Sequence, residues 1–428
     1  MATIRVGTAS PATGATRAAT LQQLSDLARR AASQHIDILL LPEAYIGGYP
    51  RGTAFGCVIG ERTGEGREEF ARYFDDAVDL GDTVAAGAGA GDAWITRQLP
   101  GGEGERNLRG DGTREELERI AAESGVLVVT GLVEKAGGSL YCAVVYVCPR
   151  RGIIGKRRKV MPTGTERLIW AQGSPATLRA VSTTIRGTRV NLAAAICWES
   201  YMPVVRQALY AQNINLYLAP TADGRDAWLS LMRTIGIEGR CFAVSSNMAV
   251  RQHQQQERDE STLDPPPAPS SPAAPSRPSA AQNNRARRSS TLTEDGFEIA
   301  LPQPSPPPPL PKEKRRKSVF DEDGNEIVLC CNQDEANGKC GVSPTRKRQN
   351  GTAHGTAWVS RGGSAIVNPF GDVVAGPQWE DDDGLIFADI DLRECVRGRL
   401  DLDAAGSYSR NDSFHFSVTG LDLDPLPY

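Results

Sequence analysis

Three segments of the sequence each place one reactive side chain directly after an apolar run. They are Leu40-Leu-Pro-Glu43, Lys156-Arg-Arg-Lys159 and Ala194-Ala-Ile-Cys197. A carboxylate just past a buried strand lies at the sheet edge where α/β proteins place ligands, and partial burial makes it a usable general base. A cysteine between a strand and a helix start, with a lysine nearby, has a lowered thiol pKa, so we expect a thiolate nucleophile at neutral pH.

Each of these side chains, taken alone, has a simpler explanation. A single cysteine after a strand is more often a small core residue than a nucleophile, and Glu43 and Lys159 fit a solvated loop or basic cluster. Their occurrence together, in this order, favours one shared active site. Histidine is scarce, with four in 428 residues. None stands at metal-ligand spacing, and none accompanies Cys197 in a recognisable motif, so we expect neither a zinc site nor a Cys-His pair.

Alternating strands and helices surround these segments and must position them. Helical spacing relates five apolar residues near the start of the chain: Leu21, Leu24, Leu27, Ala28 and Ala31. The short apolar runs, in contrast, predict strands. The predicted strands span 4–9, 36–41, 126–133, 141–147, 190–196, 214–219, 241–247, two short runs within 364–375, and 385–390. The predicted helices cover the 21–31 repeat, 113–124 with Thr113 and Glu116 in capping-box order, 203–212 and 226–238. This alternation favours an α/β or layered α-plus-β architecture.

The pattern stops between residues 252 and 350, where Pro, Ser, Gln and charged residues dominate. Of 28 prolines, 14 lie between Pro265 and Pro311, and the segment has no Trp or Tyr. Such a composition buries too little apolar surface to offset the entropy of ordering the chain. We therefore predict one domain made of residues 1–251 and 355–428, interrupted by a disordered insertion at 252–354, with the late strands completing the sheet.

A degenerate repeat with a period of 28 residues lies inside this insertion. Residues 287–299 and 315–327 share an Arg-Arg pair, a serine and a Glu-Asp-Gly turn. The basic residues before Ser290 and Ser318 suit a basophilic kinase, and phosphorylation would invert the local charge. The simpler explanation, which we favour, is that the charges keep a linker solvated.

The three reactive segments together resemble motifs of the nitrilase superfamily, whose members use a Glu-Lys-Cys triad. Leu41-Pro42-Glu43 resembles the glutamate motif, Arg158–Thr163 the lysine motif, and Cys197-Trp198-Glu199 the nucleophile motif. Further similarity extends over Pro162–Arg167, Ala219–Asp223, Glu238–Phe242, Ser360–Ser364 and Gly398–Asn411. The chain is most similar to fungal nitrilases that act on aromatic or arylaliphatic nitriles.

The resemblance implies a four-layer α-β-β-α sandwich and a mechanism that needs no cofactor and no metal. Cys197 would attack the nitrile carbon to form a thioimidate, and a thioester would follow once ammonia leaves. Glu43 would accept the thiol proton and later activate water, while Lys159 would stabilise developing charge. Glu166 would orient Lys159.

The same resemblance suggests the substrate pocket and the assembly. Tyr49, Trp198 and Glu199 are the predicted substrate-binding residues, and Trp170 is expected in the core or at a subunit interface. We expect homo-oligomers in which dimers build a spiral or filament.

Composition excludes several other classes of protein. No apolar run approaches the roughly 18 to 20 residues of a membrane span, and a net charge of −4 gives no global attraction to nucleic acid. Nine cysteines and a start that lacks the layout of a signal peptide favour reduced thiols in the cytoplasm. Two alternatives remain: a cyanide hydratase or amidase with the same triad, and a non-catalytic scaffold in which Pro306–Pro309 recruits partners.

Overall fold

The structure is a computed structural model that describes residues 3–82, 84, 110–252, 290–292, 298–300, 317–320, 326–329 and 358–428. Its strands are β1 (Ile4–Ala9), β2 (Ile38–Leu40), β3 (Cys57–Val58), β4 (Glu61–Arg62), β5 (Val78–Asp79), β6 (Leu127–Ala136), β7 (Ser139–Cys148), β8 (Gly152–Arg158), β9 (Val181–Ile185), β10 (Thr188–Ala194), β11 (Leu216–Thr221), β12 (Phe242–Asn247), β13 (Ala249–Arg251), β14 (Ser290–Leu292), β15 (Glu298–Ala300), β16 (Lys317–Phe320), β17 (Glu326–Leu329), β18 (Trp358–Val367), β19 (Val373–Trp379) and β20 (Leu385–Ile390). Its α-helices are α1 (Arg17–Ser33), α2 (Gly64–Asp76), α3 (Thr113–Ser124), α4 (Pro203–Tyr210), α5 (Ala227–Gly239) and α6 (Arg393–Gly398). None of these described helices is long and apolar enough to cross a membrane.

Two seven-stranded sheets organise the described chain. The first has the order β20-β1-β2-β6-β7-β8, with β5 also paired to β6. The second has the order β13-β18-β12-β11-β10-β9, with β19 also paired to β18. Because β1, β2 and β6 run parallel, as do β10, β11 and β12, the carboxyl ends of neighbouring strands meet at one edge in each sheet.

The two sheets face each other and bury the central core between them. Ile38 and Leu40 of β2 share this core with Leu192 of β10 and Leu218 of β11. The intervening Leu39 packs on the other side of its sheet, with α1 and α3, because successive side chains of a strand point to opposite faces.

The outer faces are covered by helices. On the second sheet, Leu209 of α4 and Met232 of α5 pack over Tyr217 of β11. The order of layers is therefore helix, sheet, sheet, helix, which confirms the predicted four-layer sandwich.

Most predicted elements are found within a few residues of their expected ends. The Gly137-Gly138 turn joins β6 to β7 as the predicted antiparallel pair. The capping box at α3 is wrong, because Gly112 with φ +90° occupies the N-cap position and Thr113 is the first helical residue. The Thr113 N–H instead donates to Asp111 Oδ1 at 3.0 Å.

The strands that follow the insertion complete both sheets. β18 pairs antiparallel with β12, and β20 pairs antiparallel with β1. The sequence predicted one completed sheet; the structure shows that the returning chain contributes to each.

Four short strands lie within the insertion, for which the composition predicts disorder. They form two antiparallel hairpins, β14–β15 and β16–β17, and the pairing of Ser290 with Ala300 recurs 28 residues later as Ser318 with Val328. The repeat in the sequence is thus also a repeat of paired strands. The chain divides into two compact units, Met1–Pro266 with His354–Tyr428, and Pro267–Ala353. The run Pro306–Pro309 lies outside the described residues.

Candidate active site

Four predicted catalytic residues meet at the carboxyl ends of the strands. Glu43 follows β2, Lys159 follows β8, Cys197 follows β10, and Glu166 lies on a 3-10 turn at Gly164–Leu168. The Lys159 Nζ lies 2.7 Å from Glu43 Oε1 and 2.7 Å from Glu166 Oε2. All four residues are buried, so these charges interact in a medium of low polarity.

Lys159 is held as a cation by its two carboxylates. Burial lowers the pKa of Lys159, but Glu43 and the other acidic groups around it outweigh burial and raise the pKa well above its ordinary value. Its backbone N–H donates to the Cys142 carbonyl at 2.7 Å, which fixes where the side chain enters the site.

Glu43 is a buried carboxylate, and only one of its two oxygens contacts Lys159. Its Oε1 accepts from Lys159, whereas Oε2 is buried without a hydrogen-bond partner among the described residues. Burial raises the pKa of Glu43, and the Lys159 charge partly lowers it again. A carboxylate with a raised pKa and a free oxygen suits a general base.

Cys197 occupies a strained turn between β10 and a 3-10 helix at Cys197–Tyr201. Its φ of +53° lies in the left-handed region, which non-glycine residues rarely adopt. The Thr221 Oγ1 lies 3.0 Å from the sulfur, to which it donates, and the Ala222 backbone also forms a hydrogen bond with the sulfur. These contacts place the Cys197 sulfur beside the carboxyl end of β11.

The expectation of a resting thiolate is wrong. Burial raises the pKa of the Cys197 thiol well above its ordinary value, and the Glu43 charge adds to this effect. Lys159 and the Thr221 hydrogen bond lower the pKa but do not outweigh burial. The resting group is therefore a thiol, which needs a base to remove its proton.

Glu199 does not contact the cavity, so its predicted substrate-binding role is wrong. The side chain is 0% exposed and pairs with Arg157 through two hydrogen bonds of 2.7 and 2.8 Å. It also accepts the backbone N–H groups of Val160, Met161 and Ile196. Glu199 thus links the backbone that follows Lys159 to the backbone that precedes Cys197.

Tyr49 and Trp198 line a cavity of about 540 Å³ that opens onto Cys197 and Glu166. The Tyr49 hydroxyl donates to Glu166 Oε1 at 2.9 Å. The Trp198 indole N–H donates to Asp223 at 3.0 Å. Trp170 is buried and stacks edge-on against Tyr49 at 5.6 Å, which agrees with its expected place in the core.

Several residues of the site were given no role in the site from the sequence. Thr221 ends β11, the parallel neighbour of β10, so the rule that strand ends meet at one edge would have found it. Arg51 lines the cavity two residues after Tyr49. The stretch 358–361 lines it too, and only the three-dimensional pairing of β18 brings that stretch back from beyond the insertion.

This arrangement suits nucleophilic catalysis. A buried thiol beside a carboxylate base can attack an electrophilic carbon, and a lysine cation can stabilise charge that develops on the neighbouring atom. In the described part of the chain, no group of three or more His, Cys, Asp or Glu side chains is arranged to hold a metal ion.

Several known proteins are similar to this chain. The family model for carbon-nitrogen hydrolases matches residues 3–263. An arylacetonitrilase of Trametes versicolor is 32% identical over 407 residues, which cover 93% of this chain and 91% of the relative. An aliphatic nitrilase of Sinorhizobium fredii is 33% identical over 400 residues, covering 94% and 90%. Nit3 of Saccharomyces cerevisiae, a member of branch 10 of the nitrilase superfamily, shares the fold with a TM-score of 0.52 and 12% identity, covering 96% of this chain and 97% of Nit3.

Proposed function

Since the chain belongs to the carbon-nitrogen hydrolase family, we propose that it is a nitrilase, which converts an organic nitrile to a carboxylic acid and ammonia. The protein is a hydrolase of carbon–nitrogen bonds other than peptide bonds. The observation that carries the proposal is the contact of one lysine with two buried carboxylates beside a buried thiol.

The first half of the reaction forms a bond between Cys197 and the nitrile carbon. Glu43 Oε2 takes the thiol proton as the sulfur attacks and passes it to the nitrile nitrogen, which gives a neutral thioimidate and leaves Glu43 ionised again. Because the thiol is protonated at rest, its attack on the carbon requires that Glu43 take the proton. Lys159, cationic and 2.7 Å from Glu43, stabilises the charge that passes to nitrogen.

The second half hydrolyses the covalent intermediate. Glu43 removes a proton from water as the water oxygen adds to the thioimidate carbon. Glu43 passes both protons of this water to the nitrogen in turn, so that ammonia leaves and a thioester remains. A second water then releases the carboxylic acid and returns the Cys197 thiol. Glu166 keeps Lys159 in place through its 2.7 Å contact, and the Tyr49 hydroxyl holds Glu166 in turn.

The substrate is proposed to be an aromatic or arylaliphatic nitrile. Tyr49, Trp198 and Trp358 surround the cavity, and flat rings pack well against such side chains. The arylacetonitrilase relative supports this preference.

An ammonia-release assay with phenylacetonitrile, benzonitrile, cyanide and the matching amides tests the proposal. The wild-type protein should release ammonia fastest from the aryl nitriles. The variant Cys197→Ala should lose this activity, and the control Cys57→Ser, which changes a cysteine of β3 outside the cavity, should keep it. Turnover of cyanide or amides alone would reassign the same triad to those substrates, and turnover by Cys197→Ala would reject the mechanism.

We further propose a cytoplasmic homo-oligomer in which dimers build a spiral or filament. The C-terminal segment exposes large apolar side chains, with Leu400 at 89% and Phe414 at 71% exposure. Such surfaces are typical of contacts between subunits. Light scattering on the purified protein should give a mass well above one chain; a monomer would contradict this part of the proposal.

A further inference from the structure

Arg51 is the cavity cation that has no carboxylate partner among the described residues. Three arginines line the cavity: Arg51, Arg225 and Arg361. Arg225 pairs with Asp223 at 2.5 Å, and Arg361 pairs with Glu380 at 2.8 Å. Their charges are therefore balanced, whereas that of Arg51 remains available.

The guanidinium of Arg51 is nevertheless fixed in position. Its Nη2 donates to the Ala222 carbonyl at 2.6 Å, and its Cζ lies 5.2 Å from the centre of the Tyr49 ring. A guanidinium has five N–H donors, so this single hydrogen bond leaves most of the planar fork free. A half-buried cation held in this way is preorganised for a planar anion.

Ala222 also sets the distance between this cation and the nucleophile. Its backbone forms a hydrogen bond with the Cys197 sulfur, and its carbonyl accepts from Arg51. Standard bond lengths within one residue, with a hydrogen bond at each end, place Nη2 at most about 10 Å from the sulfur. One small substrate can therefore contact both groups.

Resting on the proposed nitrilase function, we propose that Arg51 binds a carboxylate carried by the nitrile. Between nitriles of similar size and shape, the cavity therefore prefers a cyano acid over its neutral counterpart when about one to three carbon atoms separate the nitrile carbon from the carboxylate. In such a substrate the nitrile carbon reaches Cys197 while the carboxylate accepts two N–H groups of Arg51. The cavity then selects its substrates by charge as well as by shape.

The size of this effect follows from the kind of hydrogen bond involved. A hydrogen bond to a charged group contributes enough to change binding by about 10- to 150-fold. Because Arg51 binds a group that does not react, its loss should raise KM for cyano acids and leave kcat nearly unchanged.

Steady-state kinetics with matched pairs of substrates test the inference. One pair is 3-cyanopropanoate and 4-hydroxybutanenitrile, which differ in charge at similar length; 6-cyanohexanoate extends the spacer beyond the expected range. The variants are Arg51→Gln, which removes the charge, and Arg51→Lys, which keeps the charge but loses the fork. The control Arg62→Gln removes the same charge from the exposed strand β4, outside the cavity.

In the wild type, kcat/KM should favour 3-cyanopropanoate over its neutral partner, and 6-cyanohexanoate should lose that advantage. Arg51→Gln should lower the charged-to-neutral ratio by about 10- to 150-fold through KM, Arg51→Lys should lie between, and Arg62→Gln should match the wild type. An unchanged ratio in Arg51→Gln, or an equal fall in Arg62→Gln, would overturn the inference. If no nitrile of any charge is hydrolysed, the proposed function itself fails, which is a separate outcome.

Discussion

Replacing Glu199 with glutamine tests whether the buried pair behind the nucleophile holds the site together. One carboxylate oxygen accepts from Arg157 and from the backbone of Val160 and Met161, and the other accepts from Arg157 and Ile196. A glutamine of the same shape has only one accepting oxygen. Whichever way its amide turns, the NH₂ group faces at least two donors, and Arg157 loses its counter-charge.

The expected cost follows from this count. Removing one partner of a fully buried ion pair destabilises a protein by about 3–5 kcal/mol, because the other charge stays buried. The Glu199 and Arg157 side chains are 0% and 2% exposed, so the upper part of that range applies. Ile196 directly precedes Cys197, so a small displacement of the nucleophile should also lower kcat by about 10²-fold.

Urea unfolding followed by circular dichroism measures the stability change, and ammonia release measures kcat. The matched control is Glu238→Gln, which breaks the pair with Arg206 whose side chains are 36% and 11% exposed. That pair should contribute about 1 kcal/mol or less. If Glu199→Gln costs no more than this control and keeps the wild-type kcat, the positioning role argued for Glu199 is refuted.

Three further predictions concern the proton chemistry and the insertion. The kcat/KM for nitriles should fall as the pH drops through the pKa of Glu43, because the protonated carboxyl cannot accept the thiol proton. Since burial raises this pKa, the acid limb of the pH profile should lie above the ordinary carboxyl value of about 4.3. An acid limb at or below that value would contradict the role of Glu43 as the base. Glu166→Gln should lower kcat by about 10- to 150-fold through loss of the contact with Lys159, and wild-type rates would leave Glu166 a structural role only. Deleting residues 252–350 should keep activity near that of the full chain, because the described residues that line the cavity lie outside this range. Lost activity in a folded protein would give the insertion a functional role.

Short-range patterns were enough to predict the elements that carry the site. Apolar runs that end at Pro42 and at Cys197 predicted strand ends there, and the parallel strands bring those ends together. The strand before Lys159, β8, was not among the predicted strands. The four-layer arrangement itself came from the resemblance of the motifs, since periodicity alone left α/β and layered α-plus-β open.

Side-chain directions at the strand ends were beyond the sequence. Ala44 and Cys197 have φ values of +49° and +53°, and these unusual turns decide which neighbours face the cavity. The local motif suggested that Glu199 binds substrate, but the turn directs it behind the nucleophile. The thiol pKa was mispredicted for a related reason, because complete burial is a property of the packed core and cannot be inferred from a nearby helix start and lysine.

The central claim is that Cys197 forms the covalent intermediate, and mass spectrometry of the protein quenched during turnover tests it most directly. With phenylacetonitrile, the account predicts a species that has gained the intact nitrile as a thioimidate, or its acyl group as a thioester, on the peptide that contains Cys197. The variant Cys197→Ala should show neither adduct nor ammonia. An adduct on another residue, or ammonia released by Cys197→Ala at the wild-type rate, would contradict the account.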